Sequence, residues 1–421
     1  MSKKIYLDYA AATPLDPRVE RVMARAEKIF GNASSVHWAG REAQKIIDQS
    51  RAKIGRILHC RPGEIVFTGS GTESANLAIF GMALAYRKLD EHKNPGGHTR
   101  LNFRTSASGA VATGKSENLG GHIITTKIEH HAVLRACQYL EKFEGFKVTY
   151  LDVKPDGIID PEAIRKALRP DTILVSVMYA NNEIGTIQPI KQIAKIIKSS
   201  KLKAISYKLK PIFHSDACQA AGALDINVQN LGVDLLTLNG SKIYGPKGTG
   251  CLFVKRGLRP LPIIVGGGQE RGLRAGTENP ALIAGFATAL EIADKNKIRE
   301  SARLTKLRDF AITKILRSVL KARLNGDPVK RLPNNINISF KGIDGEMLML
   351  ALDQKGIAVS TGSACTTTET GPSHVLKAIK NPQGWGNVRI TLGKQTTQSE
   401  LNYLLANLPR EVKKLQYQNR P

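Results

Sequence analysis

The chain has 421 residues, 42% of them hydrophobic, more than one ordinary core takes in, so two folded domains are expected. No apolar run nears the roughly 20 residues that cross a bilayer, and Asp8 interrupts the start, MSKKIYLDYAAATPLD, before a signal-peptide core forms, so a cytoplasmic protein with no membrane partner is expected. The net charge of +26 suits loose attraction to polyanions such as tRNA, but no zinc-finger spacing or RNP aromatic pair indicates a nucleic-acid site, and five cysteines without a CxxC pair argue against a metal or disulfide framework.

In chain order, residues 5–9 (IYLDY) read as a short strand, and Pro17 opens a helix to about residue 30. The loop Gly31-Asn32-Ala33-Ser34-Ser35 leads into a long helix over 38–58. A strand at 64–68 then feeds Gly69-Ser70-Gly71-Thr72-Glu73-Ser74 and an apolar helix over 75–89. Strand, Gly/Ser/Thr turn and helix start bind anions, because free N–H groups and the helix dipole point at the ligand. The spacing is neither GxxxxGK[ST] nor GxGxxG. Residues 90–121 are poor in apolar residues and predict a mobile surface insertion. From 122 the alternation resumes, with strands at 122–126, 147–151, 172–178, 212–214, 233–238 and 250–254 and helices at 132–143, 161–168 and 190–197. A basic stretch, 199–210, is a second insertion.

Regular strand–helix alternation predicts an α/β fold, a mostly parallel sheet with helices on both faces. Ligands bind such sheets beyond the carboxyl ends of the strands. Thr72, His130, Asn182, Asp216 and Lys242 all follow predicted strand ends. Lys242 stands in TLNGSKIYGPKGTG (237–250), fenced by glycines that let a ligand approach the backbone. After residue 265 come GQERGLRAGTEN (268–279), a helical region over 280–324, strands at 335–340, 357–362 and 387–393, and helices at 346–353, near Val375 and at 399–416. This less regular part predicts a smaller α+β domain. The expected division is 14–265 for the large domain and 1–13 with 266–421 for the small one.

Taken singly, each polar residue has an ordinary reading: a capping Thr, a packed His, a turn Asn or Asp, an exposed loop Lys. Together they supply what pyridoxal 5'-phosphate requires. Lys242 is a Schiff-base amine, and Asp216 pairs with a pyridinium nitrogen. His130 stacks on the ring, Asn182 and Gln219 donate to its phenolic oxygen, and Gly71-Thr72 at the helix start holds the phosphate.

The motifs YLDYAAATPLDP (6–17), FTGSGTESANLAI (67–79), TTKIEHHAVL (125–134), ILVSVMYANNEIGTIQPI (173–190), HSDACQAAG (214–222), SKIYGPKGTG (241–250), GGGQERGLRAGTEN (266–279), VSTGSACTTT (359–368) and VRITLG (388–393) resemble the cysteine desulfurases, pyridoxal-phosphate enzymes of the class V aminotransferase group. The resemblance runs nearly end to end. It implies fold type I, with a seven-stranded, mostly parallel sheet. It implies removal of sulfur from L-cysteine, giving L-alanine and a persulfide on Cys365. That sulfur passes to an acceptor protein, an iron–sulfur scaffold or a tRNA-thiolation protein. Lys242 moves the proton, His130 assists, Arg389 clamps the substrate carboxylate, and Asn182 and Asn32 complete the substrate site. Asn239 and Ser241 face the phosphate; family members usually carry Ser-Gly-His or Ser-Ala-His where this chain has Asn239-Gly240-Ser241. Members are homodimers, and Thr277 matches the threonine that reaches the partner's phosphate. The loop around Cys365 resembles the family's long type. Selenocysteine lyase, sharing fold and cofactor, and a non-catalytic scaffold or RNA-binding relative are the alternative readings.

Overall fold

The computed structural model describes residues 4–93, 121–200, 210–362 and 373–418. The N-terminal part comprises β1 (Ile5–Tyr6), α1 (Pro17–Ala26), α2 (Trp38–Leu58), β2 (Ile65–Thr68) and α3 (Gly71–Lys93). β3 (His122–Thr126), α4 (His131–Phe143), β4 (Lys147–Leu151), α5 (Pro161–Ala167), β5 (Thr172–Ser176) and α6 (Ile190–Ser199) follow. Next come β6 (Ile212–Asp216), the short α7 (Val228–Leu231), β7 (Leu235–Asn239) and β8 (Gly250–Val254). The rest is α8 (Pro280–Ser318), β9 (Ala322–Leu324), β10 (Asn335–Lys341), α9 (Gly345–Asp353), β11 (Ile357–Ala358), α10 (His374–Ala378), β12 (Trp385–Thr391) and α11 (Gln398–Gln418).

Seven strands form one sheet in the order β2-β8-β7-β6-β5-β3-β4. The run from β7 to β4 is parallel, and β8 lies antiparallel between β2 and β7. β2, β3, β5 and β8 are buried along their whole length, as strands covered by helices on both faces must be. The expected mostly parallel α/β sheet is therefore present. β12, β10 and β9 form a separate antiparallel sheet, and β1 pairs with β11.

Two large apolar clusters form the main cores. One gathers residues such as Ile124, Val175, Phe213 and Leu236 under the large sheet. The other joins Ile5 and Leu7 to Ile338, Ile390 and Leu404. α8 serves both, with Ile283 to Ala293 in the first core and Leu304 to Ile315 in the second.

Several boundaries move from the sequence reading. α3 begins at Gly71, four residues before the expected start, because the Gly/Ser/Thr turn itself winds into its first turn. It ends at Lys93, so the first residues of the insertion at 90–121 are helical, and residues 94–120 lie outside the described residues. Most of the second insertion, 201–209, lies outside them too. α1 stops at Ala26, before Gly31. The helical region expected to reach residue 324 breaks after Ser318, and Ala322–Leu324 pair instead with Ile338, Ser339 and Phe340.

Candidate active site

Because β3, β5, β6 and β7 run parallel, the segments leaving their carboxyl ends share one rim. β7 leads straight into a single turn of 3-10 helix, Gly240–Lys242. Asn239 caps it: its Oδ1 accepts from the Ser241 amide (2.8 Å) and the Ser241 hydroxyl (2.9 Å). The Lys242 ammonium donates to the carbonyl oxygen of Ala11. Gln219 Nε2 donates to the carbonyl oxygen of Ala10 at 3.0 Å. The N-terminal segment thus crosses the rim beside the lysine, held there also by the Thr13 amide on the Ser241 carbonyl.

Asp216 ends β6, buried, with Oδ1 accepting from the Cys218 amide at 2.9 Å. Burial drives the Cys218 thiol well above its ordinary range, the Asp216 charge adds to this, and the Lys242 charge opposes it. One thiol thus feels both the aspartate and the lysine. The floor beneath is Gly71, the first residue of α3: a Cβ there would lie 2.7 Å from Cys218 Sγ and 3.2 Å from Asn239 Cβ. Only glycine leaves that approach open. Thr72 follows, exposed at the helix start, and Asn76 ties this turn to the next wall by donating to the Thr72 carbonyl (3.0 Å) and the Ala132 carbonyl (3.1 Å).

His130 caps α4, its Nδ1 accepting from the Ala132 amide at 3.2 Å. That bond places the neutral ring's proton on Nε2. Beside it Glu129 is fully buried; Oε1 accepts from the Thr126 hydroxyl (2.7 Å) and the Met178 amide (2.9 Å), and Oε2 has no partner among the described residues. Burial pushes this carboxyl up to about 8, with Asp216 adding to the rise and the two hydrogen bonds opposing it.

Asn182 is buried beyond β5, and its carbonyl accepts from Arg389 NH1 at 3.2 Å. Arg389, on β12, is only 1% exposed. Its NH2 meets Asp8 Oδ1 at 2.7 Å, and its Nε has no partner among the described residues. Glu183, next to Asn182, is buried and its carboxyl is pushed up by that burial. Cys365 lies outside the described residues, but the chain on either side of its segment meets at Glu183. Ser373 donates to Glu183 Oε2 at 2.6 Å, and a Cβ on Gly362 would lie 3.6 Å from the same oxygen and 4.0 Å from Ser373 Cβ. His374 Nε2 bonds the Glu129 carbonyl at 2.9 Å.

Lys242, Asp216, Gly71, Asn239 and Ser241 therefore come together, with His130, Asn182 and Arg389 on the adjoining walls. Asn32 does not join them: it is exposed, and its hydrogen bonds stay in its own loop with Ser34 and Ser35. Thr277 is exposed in the stretch before α8. Sequence reasoning missed Asp8, Glu129, Glu183 and Cys218. Three are acids, and only burial separates such acids from solvated ones.

The donor set fits pyridoxal 5'-phosphate on the chemistry of its side chains. An amine, a buried carboxylate two residues from a shared thiol, an imidazole at a helix cap and a helix start floored by glycine occupy one rim. Among the described residues no group of three His, Cys, Asp or Glu is placed to hold a metal.

The chain resembles known proteins along nearly its whole length. The family model for class-V aminotransferases matches residues 5–92 and 104–404. A protein named cysteine desulfurase IscS from Dictyoglomus turgidum is 44% identical over 418 residues, covering 99% of this chain and 96% of that one. A solved structure described as a NifS-like protein superposes with a TM-score of 0.81 at 32% identity, over 98% of this chain and all of that one. Another, described as SspA in complex with cysteine, has a TM-score of 0.73 at 34% identity, over 92% and 99%. This chain belongs to the class-V aminotransferases, a pyridoxal-phosphate family, and within them to the cysteine desulfurases.

Proposed function

We propose that this protein converts L-cysteine to L-alanine and takes the sulfur onto Cys365, with the rim residues in the roles that their neighbours support. The observation that carries the reading is the meeting over Gly71 of the Asn239-capped turn that bears Lys242 and of Cys218, whose amide Asp216 holds. Lys242 would be the attachment point for pyridoxal 5'-phosphate, with Asp216 to pair with its ring nitrogen, His130 for its face, and Gln219 and Asn182 as donors to its phenolic oxygen. Gly71, Thr72, Asn239 and Ser241 receive the phosphate at the N-terminus of α3, where free amides and the helix dipole favour an anion. When bound, the cofactor supplies an electron sink for bonds at the substrate's α and β carbons.

The protein's own groups do the rest. Arg389 holds the substrate carboxylate, a task its planar fork suits. Lys242 carries the proton between substrate carbons, and His130 Nε2 offers a second proton at the ring face. The Cys365 thiolate attacks the substrate sulfur: an S–S bond forms, the substrate C–S bond breaks, and its electron pair stays with the three-carbon product. The sum is cysteine plus protein thiol giving alanine plus protein persulfide, with no external oxidant.

We further infer a homodimer, a cytoplasmic setting and transfer of the sulfur to an acceptor protein of iron–sulfur assembly or tRNA thiolation. The exposed Thr277 supports the first, since it is open to a second copy. No helix among the described residues is long and apolar enough to cross a membrane. The chain is proposed to work as two domains, 14–265 and 1–13 with 266–421, with α8 spanning both cores. The test is an alanine and sulfide assay on purified holoenzyme with L-cysteine and a reductant. Equimolar alanine and sulfide are expected, and both are lost in Lys242→Ala together with the visible band of the bound cofactor. Turnover persisting in that variant contradicts the reading.

A further inference from the structure

Arg389 is the group assigned to the substrate carboxylate, yet it offers almost no surface to a ligand. Its side chain is 1% exposed, and a carboxylate already sits on it: Asp8 Oδ1 at 2.7 Å from NH2. NH1 is taken by the Asn182 carbonyl at 3.2 Å, and Nε is buried with no acceptor among the described residues. Asp8 is the more accessible partner, its side chain 17% exposed. It stands on the short segment between β1 and the carbonyls of Ala10 and Ala11 that Gln219 and Lys242 hold. That segment is tied to β12 through the Thr391 amide on the Leu7 carbonyl and the Ala10 amide on the Thr391 hydroxyl. So the acid reaches Arg389 from a strap lying on the rim, not from the core behind it.

We propose that Asp8 is the stand-in for the substrate's carboxylate. It neutralises and orients Arg389 in the empty site, and the carboxylate of the arriving amino acid displaces it. A buried guanidinium left without an anion is strongly unfavourable, which is why the resting site needs the placeholder. The exchange of one carboxylate for another costs less than uncovering a bare charge, and Nε supplies a donor that Asp8 does not use. Asp8 is thus a positioning residue that sets affinity: the tighter it holds Arg389, the weaker the amino acid binds. This rests on the assignment of Arg389 to the substrate carboxylate.

The two claims separate in one experiment. L-alanine and L-alaninamide, which lacks the carboxylate, are titrated into the holoenzyme while the cofactor's visible spectrum is followed. The wild type is expected to favour alanine. Asp8→Asn keeps an acceptor of the same shape but removes the charge, roughly halving the strength of the competing bond. Alanine is then expected to bind about tenfold tighter, with alaninamide unmoved and KM for L-cysteine falling in step. Alanine binding that is unchanged or weaker in Asp8→Asn, with the cofactor spectrum intact, overturns the placeholder. Equal binding of alanine and alaninamide by the wild type overturns the Arg389 assignment itself, and the placeholder with it. Should Asp8→Asn fail to fold, Asp8→Ser is judged by the same selective tightening.

Discussion

Gly71→Ala tests the phosphate end of the site with a single carbon. The new Cβ would stand 2.7 Å from Cys218 Sγ and 3.2 Å from both Cβ and Nδ2 of Asn239, distances at which something must move. Cys218 cannot yield freely, because its amide is held on Asp216 Oδ1 at 2.9 Å, and Asn239 caps the turn that carries Lys242. The strain therefore passes to the two residues assigned to the cofactor's ring nitrogen and aldehyde. Overpacking of this kind costs about 1–3 kcal/mol, or roughly a 5- to 150-fold weaker cofactor affinity. Alanine also favours helix by up to about 1 kcal/mol over glycine, which offsets part of that strain in the apoprotein. The assay is cofactor titration by absorbance alongside thermal melts of apoprotein and holoprotein. Cys218→Ala removes the atom at 2.7 Å, and the double variant is expected to recover most of the lost affinity. Wild-type affinity in Gly71→Ala, or no recovery in the double variant, refutes the steric argument.

Other expectations follow from the two buried acids. Glu129 has its folded value raised from 4.5 to about 8. Its stabilising contribution is complete below about 4.5 and is lost as pH rises through 8. His214 is lowered from 6.5 to about 4, so its contribution is present above 6.5 and lost as pH falls through 4. In the window from pH 6.5 to 8, above the His214 transition, denaturant melts of Glu129→Gln should decline less steeply than wild type, by about 1 kcal/mol per pH unit. Parallel curves in that window would show the carboxyl to be ionised throughout. Glu183→Ala removes the acceptor on which Ser373 closes beside Gly362. Single-turnover persulfide formation is expected to slow roughly tenfold or more with the cofactor band unchanged, since small misplacements of a reacting group are costly. Glu183→Gln, which still accepts from Ser373, should restore most of the rate; equal loss in both variants would point to charge rather than closure.

The large sheet was legible because its strands are short apolar runs set between helix-period stretches, and Ile65–Thr68, His122–Thr126 and Gly250–Val254 lie at or within a residue of where the pattern put them. The end of α8 was not, because Lys321-Ala322-Arg323-Leu324 continues a helical composition, and pairing with β10 overrides it. In the site, Lys242 and Asp216 were legible from their place at strand ends next to glycine-rich or polar turns. Gln219 was legible as a site residue, but its amide lies on the Ala10 carbonyl, a partner 209 positions away that no local pattern announces. Asp8 and Glu183 escaped notice for the same reason. Each is defined by a contact across the chain, Asp8 with Arg389 and Glu183 with Ser373, and neighbouring sequence says nothing of either.

The most direct test of the central claim is the mass of the Cys365 peptide from holoenzyme exposed to L-cysteine and then digested without reductant. The account predicts one added sulfur on that peptide, with one alanine released per sulfur held, and neither in Lys242→Ala. Sulfur retained by Cys365→Ser, or found on Cys60, Cys137, Cys218 or Cys251 with Cys365 unmodified, would contradict it.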